Sequence, residues 1–223
     1  LSSAASDVYK RQINVLNDAD IIYGLNEHTA TYTTDSGIVI GIVSANLLAA
    51  DEKHANYIRD GIKSLRDEGA DLVIASCHWG IEGNHYPNSY QQEMAHQVID
   101  WGADVLIGSH PHVLQGVELY NGKVICYSLG NFCFGGNRNP KVKDTAIYQQ
   151  TFTFSDGILQ KDISADIIPC TISSTTARND FQPTVAEGER KQAILDDMND
   201  YSKPYSQAGF DSSGKLMVLE EEE

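Results

Sequence analysis

The chain has 223 residues, 41% hydrophobic and 21% charged with 18 Gly and 6 Pro, the make-up of a globular protein with one sizeable core rather than a disordered or fibrous one. Its 31 acidic against 16 basic side chains give a formal net charge of −15 and a pI near 4.7, a field that repels nucleic acid and opposes polyanions unless a bound cation or a local basic patch reverses its sign. No run approaches the roughly eighteen apolar residues of a membrane span, and Cys77, Cys126, Cys133 and Cys170 lack C-x-x-C spacing, so neither a span nor a disulfide framework is expected.

The chain begins at Leu1 rather than Met, and residues 1–12 read as a non-native leader, set aside from fold reasoning. The expected layout is a main domain over 13–170, followed by a loop, a closing helix and an acidic tail over 171–223. Ile21-Ile22-Tyr23-Gly24 predicts a short strand, and a polar loop through Asp35-Ser36-Gly37 leads to Ile38-Val39-Ile40-Gly41-Ile42-Val43, whose β-branched run suits a strand covered on both faces. Asp51 is the expected N-cap of a helix with apolar Ile58, Ile62 and Leu65, stopped by Gly69.

Gly69-Ala70-Asp71-Leu72-Val73-Ile74 is echoed by Gly102-Ala103-Asp104-Val105-Leu106-Ile107, with an amphipathic helix pattern between them that opens on a Ser89-x-x-Gln92 capping box. This is a βαβ unit with two parallel strands. Beyond it the pattern turns to antiparallel hairpins. One runs over 113–127 about Asn121-Gly122, and a second β pair covers 147–154 and 158–168 about Asp156-Gly157. Residues 171–189 read as loop, and a helix over 187–201 would bury Ala193, Ile194 and Met198.

Each strand of the repeated unit delivers histidine where it ends: His78 in Cys77-His78-Trp79-Gly80-Ile81-Glu82, and His110 and His112 in Gly108-Ser109-His110-Pro111-His112. Open α/β sheets hold ligands outside the carboxyl ends of their strands, and histidines i and i+2 about a proline can reach one ion or two neighbouring ones. A metal site follows as the expectation, with imidazole suited to Zn, Fe, Mn or Ni. Glu82 can serve as ligand, as a partner fixing a histidine tautomer, or as a proton shuttle. His28, His54 and His96 read as structural, and His85 has nothing to place it on the rim. Tyr127-Ser128-Leu129-Gly130-Asn131-Phe132 is a second unusual segment, in which Ser128 lacks the Gly-x-Ser-x-Gly elbow of a nucleophile; its plain structural alternative is a packed loop with Asn131 in a left-handed conformation.

His78-Trp79-Gly80-x-Glu82, Gly108-x-His110-Pro111-His112-x-x-Gln115 and Tyr127-Ser128-Leu129-Gly130-Asn131-Phe132, in this order and spacing, closely resemble the bacterial CapA family of capsule synthesis proteins, linked to poly-γ-glutamate. That family resembles the calcineurin-like metallophosphoesterases. The resemblance implies an α/β fold, here an incomplete αββα sandwich with parallel βαβ units followed by antiparallel hairpins. It further implies a metal-dependent phosphoesterase-type hydrolase with His78, His110 and His112 as ligands of divalent Mn, Fe or Zn ions, and Glu82 or Asn131 orienting substrate. An early Gly-Asp strand end and an Asn-Asn-His segment of the family pattern are not found. Asn26-Glu27-His28 lies in the wrong context to replace them, so the chain is expected to be a fragment, inactive by itself. The implied partners are an anionic polymer or phosphoester substrate and other capsule-synthesis proteins. The implied location of the full-length protein is the cell surface or membrane. A non-catalytic factor supporting polymer assembly or export on the same fold is the alternative.

Overall fold

A computed structural model describes residues 2–25, 28–205 and 208–218. The first described element is α1 (Ser2–Asp18), so residues 2–12 of the stretch set aside as a leader are helical, and the chain then reaches β1 (Ala30–Thr33) and β2 (Val39–Asn46). There follow α2 (Glu52–Asp67), β3 (Leu72–His78), α3 (Ser89–Asp100), β4 (Val105–Ser109), β5 (Val117–Tyr120) and β6 (Lys123–Cys126). The remainder is β7 (Asp144–Thr151), β8 (Phe154–Ser155), β9 (Ile158–Leu159), β10 (Ser164–Thr171), β11 (Thr184–Val185), α4 (Gly188–Ser202), β12 (Ala208–Phe210) and β13 (Leu216–Val218).

A six-stranded sheet in the order β1-β2-β3-β4-β6-β5 carries the molecule. Its four inner strands are parallel, and an antiparallel strand lies at each edge, β1 against β2 and β5 against β6. Side-chain alternation along the inner strands divides two cores. Val73, Ala75 and Cys77 of β3, Leu106 of β4 and Ile125 of β6 pack with Ile58, Ile62 and Leu65 of α2 and with Met94, Ala95, Val98 and Ile99 of α3. Val105, Val124 and Cys126 face the other way, onto Ala146 of β7, Ala165 and Ile167 of β10, and Ile194, Leu195 and Met198 of α4. Burial on both faces is why these strands read as continuous apolar runs. The expected class, α/β with parallel strands followed by antiparallel hairpins, is observed.

Several local expectations need correction. No strand forms over 21–24; the edge strand is instead β1, in the stretch read as polar loop, where Ala30-Thr31-Tyr32-Thr33 pairs with 39–42 and keeps one side to solvent. The α3 capping box is one residue early: Asn88 accepts from the Gln91 amide at 2.9 Å, and the Gln91 side chain accepts from the Asn88 amide at 3.1 Å. The second β pair is not a simple hairpin about Asp156-Gly157. β8 and β9 pair Phe154 with Leu159, but β7 and β10 pair Thr151 with Ser164, so the second strand carries extra residues and the ribbon bulges. In α4 the buried positions are Ile194, Leu195, Met198 and Ser202, with Ala193 exposed. The tail contains an unexpected hairpin, β12 with β13, turned by Asp211, whose Oδ1 accepts from the amides of Ser213, Gly214 and Lys215. Residues 26 and 27 and the acidic run 219–223 lie outside the described residues.

Candidate metal centre

His78 is the last residue of β3, and its neighbour across the parallel ladder is Ser109, the last residue of β4. The two strand ends therefore deliver the 78–82 and 108–112 segments to one rim. Trp79 fixes this corner. Its ring is fully buried, its amide donates to Ser109 O at 3.1 Å, and its indole N–H donates to Tyr127 O at 3.0 Å. Gly108 admits this packing, because a Cβ there would meet Tyr127 O at 2.0 Å and the Trp79 indole nitrogen at 2.6 Å. The two rim loops are tied by the Gly83 amide, which donates to Pro111 O at 2.8 Å.

Among the described residues, Glu82, His110 and His112 offer ligand atoms that all lie within 4.8 Å of one another, with Glu82 exposed and both histidines half-buried. A carboxylate and two imidazoles so placed are a donor set suited to a divalent first-row ion. His78 is not in that trio. It stands behind it, with Nε2 at 3.1 Å from His110 Nδ1 and ring centroids 4.7 Å apart. The structure thus brings all three expected histidines to one rim and puts Glu82, rather than His78, among the converging ligand atoms.

One set of tautomers satisfies all of these contacts together. Ser109 Oγ donates to Cys77 O at 3.4 Å, so it accepts from His78 Nδ1 at 3.2 Å, which leaves His78 Nε2 as an acceptor for His110 Nδ1–H. Burial first, and the neighbouring His110 and His112 charges second, hold His78 below the usual histidine pKa, which agrees with a neutral acceptor ring. On the other side, Asn131 Nδ2 donates to His112 O at 3.2 Å, which turns Oδ1 toward His112 Nδ1 at 2.6 Å and makes that nitrogen the donor. Both relays leave Nε2 of His110 and of His112 with a free lone pair, as a metal ligand requires.

Asn131 reaches His112 because Gly130, not Asn131, takes the left-handed turn, at φ 75. His110 and His112 themselves have φ 99 and 62, conformations that cost side-chain-bearing residues of order 1–3 kcal/mol each and concentrate at functional sites. Ser128 is buried and donates to Val113 O at 2.7 Å, a structural role consistent with its lack of a nucleophile elbow.

Sequence reasoning passed over Gln91 and took Gln115 only as part of a motif. Both are buried and bonded to each other at 3.0 Å, and Gln115 donates to Asn84 O at 2.8 Å, holding the loop that carries Glu82. The signal was present in the glutamine at position 115 of the histidine motif. His85 is anchored too, against Leu114 O at 2.9 Å and the Tyr201 ring. His96 pairs with buried Glu118 at 2.8 Å, the structural role expected of it.

The family described as bacterial capsule synthesis protein PGA_cap matches residues 5–136, which include every residue of the rim. The chain belongs to this family. It is 46% identical over 80 residues to the PGA biosynthesis protein CapA of Bacillus subtilis (strain 168), covering 36% of this chain and 21% of that protein. It is 41% identical over 87 residues to the capsule biosynthesis protein CapA of Bacillus anthracis, covering 39% of this chain and 21% of that one. A probable polyglutamine synthesis accessory protein of Mycobacterium tuberculosis is 24% identical over 179 residues, 70% of this chain and 46% of its own length. The chain therefore spans about a fifth of the length of the two Bacillus proteins. A solved structure of a hypothetical protein from Thermus thermophilus aligns with TM-score 0.40 at 15% identity over 62% of this chain and 61% of that one. Among the described residues no helix is long and apolar enough to cross a membrane.

Proposed function

We propose that this member of the capsule synthesis family contributes a metal-dependent, phosphoesterase-type hydrolase centre to capsule or poly-γ-glutamate biosynthesis, on a metallophosphoesterase-like sandwich. The observation that carries the reading is the convergence of Glu82, His110 and His112 within 4.8 Å on one rim, with both imidazoles backed by hydrogen bonds at Nδ1. A divalent Mn, Fe or Zn ion bound there supplies Lewis-acid polarisation of a phosphoryl or acyl oxygen. The protein's own share is placement. Asn131 holds the His112 ring, and His78, itself oriented by Ser109, holds the His110 ring. In this reading His78 and Asn131 are positioning residues and Glu82 is a ligand. The 630 Å3 cleft lined by Glu82, His112, Asn131 and Phe134 is where a substrate would lie.

The test is a screen of phosphomonoesters and phosphodiesters with the full-length protein and added Mn2+ or Zn2+. Turnover abolished by His112→Ala is the expected result. Full-length protein that binds the metal but hydrolyses neither ester class would contradict the enzyme reading and favour a non-catalytic factor for polymer assembly or export.

A further inference from the structure

The loop that carries Glu82 has no helix or strand of its own, yet it must hold an exposed carboxylate beside His110 and His112. It joins β3 to α3 through Gly83, Asn84, His85 and Tyr86, and a connection of this kind samples many conformations unless it is fastened. The segment after β4 supplies three fastenings. Pro111 O accepts from the Gly83 amide, the Gln115 side chain donates to Asn84 O, and Leu114 O accepts from His85 Nδ1 at 2.9 Å.

A further fastening comes from the other end of the chain. The Tyr201 ring stacks on His85 with centroids 4.7 Å apart and an interplanar angle of 27°, and it meets Tyr86 edge-on at 5.6 Å and 80°. Tyr201 lies in the last turn of α4, a helix beyond residue 136, where the family match ends. The helix end that bears it is tied to the main sheet independently of the ring. Buried Ser202 accepts from the Val117 amide at 2.8 Å and donates to Met198 O at 2.7 Å. Gly116 permits this close approach, since a Cβ there would lie 2.4 Å from Tyr201 O. The backbone under Tyr201 is thus fixed beside β5, and its ring bears on the loop.

We infer that Tyr201 is a positioning residue for Glu82: its ring holds His85 against Leu114 O and so keeps the 82–86 loop closed on the rim. His85 cannot swing outward without losing both the stack and its Nδ1 bond. The two rim histidines each have an Nδ1 hydrogen bond to fix the ring, whereas the exposed Glu82 goes where its loop goes. Loosening the loop therefore lowers the fraction of molecules with all three ligands in place, and apparent metal affinity falls by the same factor. That consequence rests on the proposed metal centre; closure of the loop by Tyr201 does not.

Two measurements on the full 223-residue chain test the inference: amide hydrogen exchange at Gly83 in metal-free protein, and equilibrium titration with Mn2+. Gly83 is the reporter because its amide is bonded to Pro111 O while the loop is closed. Tyr201→Ala should speed that exchange and weaken Mn2+ binding, each at least about fivefold. Tyr201→Phe keeps the ring and should leave both at wild-type values. His85→Ala should match Tyr201→Ala, and the double variant should be no worse than His85→Ala alone, because both remove one contact. Ile194→Ala, in a core that includes no residue of the loop, should lower the thermal midpoint without moving either reading. Gly83 exchange untouched by Tyr201→Ala, or raised as much by Ile194→Ala, would overturn the inference. So would Mn2+ binding that is identical in wild type and Tyr201→Ala, which would leave the metal centre standing. A wild type that binds no Mn2+, but whose Gly83 exchange still separates Tyr201→Ala from Tyr201→Phe, would instead remove the metal centre and uphold the loop closure.

Discussion

Asn131 shows how much depends on one amide. Its carbonyl holds Nδ1–H of His112 at 2.6 Å while its NH2 is committed to the His112 backbone O, which fixes the amide, so the ring cannot turn without losing the Nδ1 bond. Asn131→Ala should lower Mn2+ or Zn2+ affinity about 10–100-fold, measured by titration, with little loss of thermal stability. An unchanged affinity would remove Asn131 from the metal reading. Gly108→Ala is the opposite kind of change, because its Cβ would fall 2.0 Å from Tyr127 O and the buried Trp79 ring cannot give way. Overpacking of about 3 kcal/mol, a midpoint fall of about 6–12 °C by calorimetry, is expected. At this scale the histidines were legible because two strand ends repeat the same letters before them. The tautomer relays through Ser109 and Asn131 were not legible, since partners 19 to 32 residues apart meet only in the fold.

Helices and inner strands were the readable elements. The α2 apolar positions Ile58, Ile62 and Leu65 are buried and Asp51 caps the helix as its sequence pattern requires. Runs buried on both faces declare themselves by composition, whereas β1 is a polar edge strand whose pairing depends on β2, and β12 and β13 are three residues each. The α3 cap slipped by one because Gln91 is drawn inward by Gln115, a tertiary bond that local spacing does not encode. Asn88→Ala should therefore cost about 1 kcal/mol of stability in chemical denaturation. In the loop before β11, the Ser174 hydroxyl, with Ser173 and backbone amides, lowers the Asp180 carboxyl from 3.8 to about 2. A lowered carboxyl stabilises the fold above its ordinary pKa and loses that contribution as pH falls from 3.8 toward about 2. The stability gap between the wild type and Asp180→Asn should accordingly close across that interval in acid titrations; a gap independent of pH would contradict the linkage.

Across the whole molecule, parallel strands carry the site to one rim, a three-stranded sheet and α4 cover the opposite face, and a net charge of −15 sets the terms on which any anion approaches. A cation at the Glu82, His110 and His112 rim would oppose that field where the family's chemistry is proposed to occur. Sequence showed the family and the rim, because the motifs are local. It did not show how Asn131 and Gln115 reach that rim, since loops without periodicity bring them there. The central claim is the metal centre, and equilibrium titration with Mn2+ and with Zn2+ tests it directly. Saturable binding by the wild-type chain, lost in His110→Ala and His112→Ala and weakened in Glu82→Gln, is the predicted result; binding that these substitutions leave unchanged, or none at all, would contradict it.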